Sequence, residues 1–251
     1  LRCASCQNWQ ISQVSPLETR NYFTTPDKVV EMALKNNCQT IAFTYTEPVV
    51  FFEYMIATAQ LAREKGLKTV MHSNGYINEE PLRELCKHLD AANIDLKGFT
   101  EEYYQSFAQA DLETVKRTLK ILKKEGVWVE ITNLLVPGGN DNPDDIRKMC
   151  QWITTELGPE TPLHFSRFFP QHKMTHVPMT PVETLQKARQ IALEAGLQYV
   201  YIGNIPGSPA ENTYCPQCKT LLVERQGYSV LQDNIKNGKC PKCGQTIPGI
   251  W

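Results

Sequence analysis

Between residues 26 and 203, short β-rich runs alternate with amphipathic stretches, and this alternation constrains the fold more than any other feature of the chain. Apolar residues recur at helical spacing over 27–37, 48–65, 79–88 and 143–157. They recur again at Leu112, Val115, Leu119 and Leu122, and from Val182 to Ala195. Pro26 suits a first helical position, and Gly66, Gly126 and Gly196 follow helix ends. Strands are predicted over 40–45, 67–72, 91–96, 127–136, 163–169 and 198–202. Strands alternating with helices make βαβ units, about six here, and therefore a parallel sheet. The fold class is α/β. An open doubly wound sheet and a partial barrel both satisfy the pattern. In either, residues at the C-terminal ends of the strands are the candidates for chemistry.

After Gly203 the composition changes. Residues 204–212 are rich in Pro, Gly and small polar residues and read as a linker, and 213–251 as a separate small module. Cys215-Pro216-Gln217-Cys218 and Cys240-Pro241-Lys242-Cys243 lie 21 residues apart, the spacing of a four-thiolate zinc ribbon. Two tight turns supply two ligands each, and Leu221–Val223 with Tyr228, Val230 and Leu231 can form a hairpin between them. So short a module lacks the core to fold unaided, and metal binding supplies the missing free energy. A rubredoxin-type iron or an auxiliary iron–sulfur centre is the rival occupant.

Nine cysteines, six of them in CxxC pairs, suit metal or redox chemistry in a reducing compartment such as the cytoplasm. Cys38, Cys86 and Cys150 fall in or beside predicted helices and read as packing residues. A net charge of −1 gives no broad attraction to nucleic acid. No apolar run is long enough to span a membrane.

The remaining pair, Cys3-Ala4-Ser5-Cys6, opens the chain. A CxxC alone fits a redox pair, half a zinc site or part of an iron–sulfur site. In context, residues 1–12 resemble the latter part of the CxxxCxxC motif of radical S-adenosylmethionine (SAM) enzymes. More closely, they resemble the opening of the radical SAM member of the AmmeMemoRadiSam group, related to pyruvate formate-lyase activating enzymes. The resemblance extends over nearly the whole chain. The motif's first cysteine falls two residues before Leu1, so the reading expects residues 1–203 to be a radical SAM core, a partial (βα)6 barrel, without its first strand and first cluster cysteine. Ser5 stands where the family usually has an aromatic residue.

The resemblance implies a [4Fe-4S] cluster on Cys3, Cys6 and the absent cysteine, with SAM on the open iron. Reductive cleavage of SAM would then give a 5′-deoxyadenosyl radical for hydrogen abstraction. Thr44-Tyr45-Thr46-Glu47-Pro48 matches the family's Gly-Gly-Glu-Pro segment at Glu47 and Pro48, which implies SAM contacts by Tyr45, Thr46 and Glu47. Ser73-Asn74-Gly75-Tyr76 resembles Thr-Asn-Gly-Tyr, and Asp95-Leu96-Lys97 the Asp-Leu-Lys pattern, which implies SAM contacts by Ser73, Asn74, Asp95 and Lys97. Taken without the family, Glu47 reads as a helix-start residue, Asn74-Gly75 as a turn, and Asp95 with Lys97 as a surface ion pair. His164 and Arg167 end the strand at 163–169 and are candidates for substrate contact. His172 and His176 sit between prolines and read as a loop over the site. The implied partners are a protein substrate and a reductant such as flavodoxin or ferredoxin. Two other classes fit the pattern less fully: a zinc-ribbon binding module on an inactive barrel, and a cluster-free aldolase using Lys97 as a Schiff base.

Overall fold

A computed structural model of the protein describes Leu1 and residues 3–250. Its elements follow the predicted alternation. After the short helix α1 (Trp9–Ser12) come α2 (Pro26–Lys35), β1 (Thr40–Phe43), α3 (Phe52–Glu64), β2 (Lys68–Ser73), α4 (Glu79–Cys86) and β3 (Ala91–Asp95). A single turn α5 (Glu101–Tyr103) leads into a π-helical segment, Tyr104–Ala108. Then follow α6 (Leu112–Lys124), β4 (Trp128–Leu135), α7 (Pro143–Glu156), β5 (Leu163–Arg167), α8 (Val182–Glu194) and β6 (Val200–Gly203). The six strands form one sheet in the order β1-β2-β3-β4-β5-β6. A doubly wound sheet reverses its order at a switch point. This one does not, which favours the barrel-type winding over the open doubly wound alternative.

By contacts the chain divides into two compact units, and each is described by itself. In the first, β1, β2 and β3 pair in parallel, with Ile41 opposite Thr69 and His72 opposite Asn93. α2 packs on α3, and α4 on α6. Met55, Met71, Leu82, Ile94, Leu119 and Leu122 are fully buried here. In the second, β4, β5 and β6 pair in parallel, α7 packs on α8, and Ile131, Ile153, Phe165 and Ile191 fill the core.

Burial along the strands has a period of two. In β2, Thr69, Met71 and Ser73 are buried while Lys68 and His72 are exposed; in β4, Val129, Ile131, Asn133 and Leu135 alternate with half-buried Trp128, Glu130, Thr132 and Leu134. Parallel strands covered on both faces are apolar throughout. Here one face is buried and the other is polar and partly open.

The segment 48–65 begins as a 3-10 turn, Pro48–Phe51, before α3. The helical segment 101–108 lay outside the predicted elements, because its apolar residues are crowded into Tyr103, Tyr104, Phe107 and Ala108 without a full helical period. Cys86 and Cys150 are buried as expected, and burial pushes their thiols up to about 11 and about 12, which makes them poor nucleophiles. Cys38 is instead exposed, because it follows the end of α2 at a turn, with Asn37 at positive φ. Among the described residues, no helix is long and apolar enough to cross a membrane.

The hairpin expected between the two C-terminal cysteine pairs is present. β8 (Leu221–Gln226) pairs antiparallel with β9 (Ser229–Asp233) and with the short β7 (Thr213–Tyr214).

Asp90 ties the entry of β2 to that of β3. It accepts from the Thr69 amide at 2.9 Å and from Lys68 Nζ at 3.0 Å, and Arg63 lies 3.4 Å away. Burial opposes the charge, yet these donors hold the Asp90 carboxyl below its usual value. A depressed folded-state pKa contributes stability above the unfolded carboxylate value, which is lost as pH falls. Asp90→Asn is therefore expected to flatten the acid limb of stability between about pH 5 and pH 3, measured by urea unfolding across that range.

Candidate functional site

The Cys3–Cys6 loop is a tight turn, closed by the Cys6 amide donating to the Cys3 carbonyl at 3.3 Å. Its main chain is held from two sides. The Ala4 amide donates to the Phe107 carbonyl at 3.3 Å, and the Ala4 carbonyl accepts from the Lys173 amide at 3.2 Å. Trp9 stacks on His172 with ring centroids 5.4 Å apart, so the loop carrying His172 and His176 lies against the cysteine segment. Neither cysteine is in a disulfide, both are half-buried, and Cys6 Sγ lies 3.0 Å from Ser12 Oγ. Ser5, between them in the sequence, is buried at 4% exposure.

At the strand ends of the same unit, Glu47 is the centre of a bonded group. Ser73 Oγ donates to Glu47 Oε1 at 2.6 Å, and the Asn74 amide donates to Oε2 at 2.9 Å. The Val49 amide also donates to Oε1, at 3.3 Å, so Glu47 caps the 3-10 turn that opens at Pro48. The capping reading and the strand-end reading thus describe one side chain: it starts the helix and bridges to the turn after β2. That turn is itself supported. The Tyr76 amide donates to Asn74 Oδ1 at 2.8 Å, and Tyr76 Oη donates to Asp111 Oδ2 at 2.7 Å. Sharing its proton with Asp111 holds the Tyr76 phenol above its usual pKa. Burial works against the Asp111 charge, but its bonds to Tyr76 and Thr114 keep it low. Gly75 is required here: it has φ of +70°, and a Cβ would meet Ile94 Cγ2 at 2.8 Å.

Asp95 Oδ1 lies 3.2 Å from His72 Nε2 across the polar face of β2 and β3. His72 was not singled out in the sequence. Its signal was position, two residues before Asn74 and on the same face as Asp95. Tyr45 is 68% exposed, and the side chains of Tyr45 and Thr46 have no hydrogen-bond partner among the described residues.

In the second unit, the Lys97 carbonyl accepts from Asn140 Nδ2 at 2.6 Å. Asn140 also donates to the Leu134 carbonyl and accepts from the Val136 amide, so it locks the strand-end loop at 136–140. The Tyr103 ring fills the space left by two glycines: a Cβ on Gly98 would meet it at 2.5 Å, and one on Gly139 at 2.9 Å. His164 Nε2 is 2.7 Å from Glu130 Oε2, and its ring stacks on Tyr201 at 4.9 Å. Arg167 Nε donates to the Thr180 carbonyl at 2.8 Å, and its guanidinium lies 5.7 Å from the Phe169 ring centroid. His164 and Arg167 share a strand but have separate partners. Glu130 was missed, although a carboxylate inside the apolar run Val129-Glu130-Ile131 was the available signal.

The four C-terminal cysteines converge. Their sulfurs all lie within 4.8 Å of one another, with Cys215–Cys243 and Cys218–Cys240 each at 3.6 Å. Tetrahedral thiolates about 2.3 Å from zinc stand about 3.8 Å apart, so the donor set fits such an ion. The two knuckles match. The Lys219 amide donates to the Cys215 carbonyl, the Gly244 amide to the Cys240 carbonyl, and both Lys219 and Gly244 have positive φ. Thr220, hydrogen-bonded to the Cys218 sulfur at 3.2 Å, draws that thiol down to about 6.

Residues 1–153 match the Radical SAM superfamily. The chain belongs to that superfamily. It is 50% identical over 248 residues to an uncharacterized protein of Methanocaldococcus jannaschii, covering 98% of this chain and 74% of that one. It is 24% identical over 162 residues to the pyruvate formate-lyase-activating enzyme of Clostridium pasteurianum, covering 61% of this chain and 65% of that enzyme. The fold matches a crystal structure of a domain of pyruvate-formate lyase-activating enzyme from Bacteroides vulgatus, with a TM-score of 0.56 at 19% identity, over 65% of this chain and 98% of that one. Membership of the superfamily implies a [4Fe-4S] cluster and SAM.

Ser73→Ala removes the shortest bond to Glu47 and is expected to cost about 1 kcal/mol. Tyr45→Ala, at an exposed side chain, is expected to stay within about 0.5 kcal/mol of wild type. Urea midpoints of the two variants check both.

Proposed function

We propose that this chain carries the cluster-binding and SAM-binding core of a radical SAM enzyme related to the activating enzymes, with a zinc ribbon at its C-terminal end. The observation that supports it best is the Glu47 carboxylate, held at the strand ends by Ser73 and Asn74, in a unit that also presents the Cys3–Cys6 turn. Two half-buried thiols on a loop with a bonded main chain suit iron ligation, with a third cysteine completing the motif. The chemistry such a cluster supplies when bound is one-electron reductive cleavage of SAM, giving methionine and a 5′-deoxyadenosyl radical that abstracts hydrogen.

The protein's own residues bind and orient. Glu47 takes the methionyl ammonium, since a carboxylate already fixed in place makes a charge-assisted bond at little ordering cost. Tyr45 and Thr46 flank it, and Ser73 and Asn74 hold it. Asp95, oriented by His72, and Lys97 are the residues assigned to the ribose or carboxylate of SAM. His164, on the polar face of β5, and Arg167, at its end, are the residues assigned to substrate contact. The relatives that activate other enzymes support a protein substrate and a reductant such as flavodoxin or ferredoxin. The abundance of thiols suits the cytoplasm. Cys215, Cys218, Cys240 and Cys243 hold zinc, a closed four-ligand site whose role is structural.

Two experiments test this. A chain carrying the whole three-cysteine motif is reconstituted anaerobically with iron and sulfide, reduced with dithionite and given SAM. 5′-Deoxyadenosine is expected by chromatography. It is expected to be absent from a Cys3→Ala/Cys6→Ala variant, and kcat/KM for SAM should fall about 10–100-fold in Glu47→Gln, the cost of a charged hydrogen bond. No cluster and no 5′-deoxyadenosine in the unmutated chain would sink the reading. For the ribbon, metal analysis is expected to find one zinc per chain, lost in Cys240→Ser together with a fall in the melting temperature.

A further inference from the structure

The cysteine ribbon is built partly from the sheet. Its core cluster contains Tyr199 together with Cys215, Leu222, Val223, Cys240 and Ile247, and Tyr201 packs against the same cluster. Tyr199 immediately precedes β6 and Tyr201 lies within it, two residues apart, so both project to the same side of the chain. The four-thiolate site and the polar face of β6 therefore meet around these two rings.

From there a continuous run of contacts leads to His164. The Thr213 hydroxyl, two residues before Cys215, is hydrogen-bonded to Tyr201 Oη at 3.0 Å. Arg225 of β8 donates through Nη1 to Thr213 Oγ1 at 2.7 Å and to the Glu211 carbonyl at 3.3 Å. Its guanidinium carbon lies 5.9 Å from the Tyr201 ring centroid, within cation–π range. The Arg225 amide donates to Asn212 Oδ1, so the strand that carries the guanidinium is itself tied to the residue before β7. Tyr201 then stacks on His164 at 4.9 Å with ring planes 22° apart, and the other edge of His164 meets Glu130. His164 is thus held by two groups of different origin, a carboxylate from the sheet and a ring whose hydroxyl is fixed by the ribbon.

We propose that the ribbon sets the position of His164: Arg225 and Tyr201 are positioning residues, and metal capture by Cys215, Cys218, Cys240 and Cys243 holds them in place. The physical basis is simple. β7 leads from the sheet into the first knuckle and the β8–β9 hairpin runs from there to the second, so closing both knuckles fixes the register of β7 on β8. With the knuckles closed, Thr213 and Arg225 fix the Tyr201 phenol, and the phenol ring leaves His164 one stacked orientation. With them open, the hairpin has little apolar core of its own, and Tyr201 loses both its hydroxyl partner and its cation. The ribbon metal then acts on a residue of the sheet's polar face without touching substrate. This rests on the reading of His164 as a substrate-facing group, and on zinc in the ribbon.

The test reads the His164 ring by NMR in zinc-loaded, histidine-labelled protein, assigned with His164→Gln, with bound zinc measured in every sample. A proton over an aromatic face is shielded, so loss of the Tyr201 stack moves the His164 ring protons downfield. Tyr201→Leu defines the full displacement. Arg225→Ala, with zinc still bound, is expected to move them part of the way in the same direction, and Tyr201→Phe by less, since the ring remains. Chelation of the zinc is expected to reproduce the Arg225→Ala shift while the resonances of His72 and His88 stay in place. If Arg225→Ala and chelation both leave His164 at its wild-type position while zinc analysis shows full loading and then full loss, the proposal is wrong and the sheet alone orients His164. If the protein binds no zinc, the metal reading itself fails, and the zinc analysis reports this separately from the NMR. None of these readouts depends on SAM cleavage.

Discussion

The polar residues that the strands of this protein present depend on burying only one face of a parallel sheet. Helices cover the apolar side, where Met71, Ile94, Ile131 and Phe165 are sealed. The opposite side carries His72, Asn93, Asp95, Glu130, Thr132 and His164, each flanked by buried neighbours. A parallel strand covered on both faces has no place for such residues, because an unpaired buried polar group costs several kcal/mol. The period-two pattern therefore does two things at once: it supplies the core and it presents a polar surface along the strands.

Much of this could be read from the residues. Helix starts at Pro26 and Pro143 and helix ends before Gly66, Gly126 and Gly196 follow from backbone restrictions that act locally, and the structure has them. The strand-end positions of Glu47, Asn74 and Asp95 followed from the same local rules. What local rules could not give was partnership. That Ser73 and Asn74 both bond to Glu47 depends on how β1 and β2 pair, 26 and 27 residues apart in the chain. Glu130 with His164, and Asn140 with the Lys97 carbonyl, are likewise long-range, 34 and 43 residues apart. The segment 101–108 escaped because its buried residues are consecutive pairs, which fit a π turn and no regular period. Cys38 shows the opposite failure: residue type favoured burial, but its place after a helix end put it in solvent.

The C-terminal cysteines illustrate how far spacing alone can reach. Two CPxC turns 21 residues apart indicated four converging thiolates, and the sulfurs do converge. Spacing carries no information about what completes the small core around them. The structure shows that Tyr199, from the approach to β6, is part of it. A ribbon of this size closes around a residue that belongs by sequence to the sheet.

The cysteine turn at the start of the chain has its main chain bonded on both sides of Ala4, to Phe107 and to Lys173, with Trp9 laid against His172. Thiolate loops that are flexible before they bind must lose backbone freedom when they ligate, at roughly 1–2 kcal/mol per residue. Here the neighbouring π segment and the 170–176 loop already impose the turn. Cluster insertion into such a loop would chiefly reorient two side chains, so the affinity for iron and sulfide is set by thiolate chemistry more than by folding of the loop.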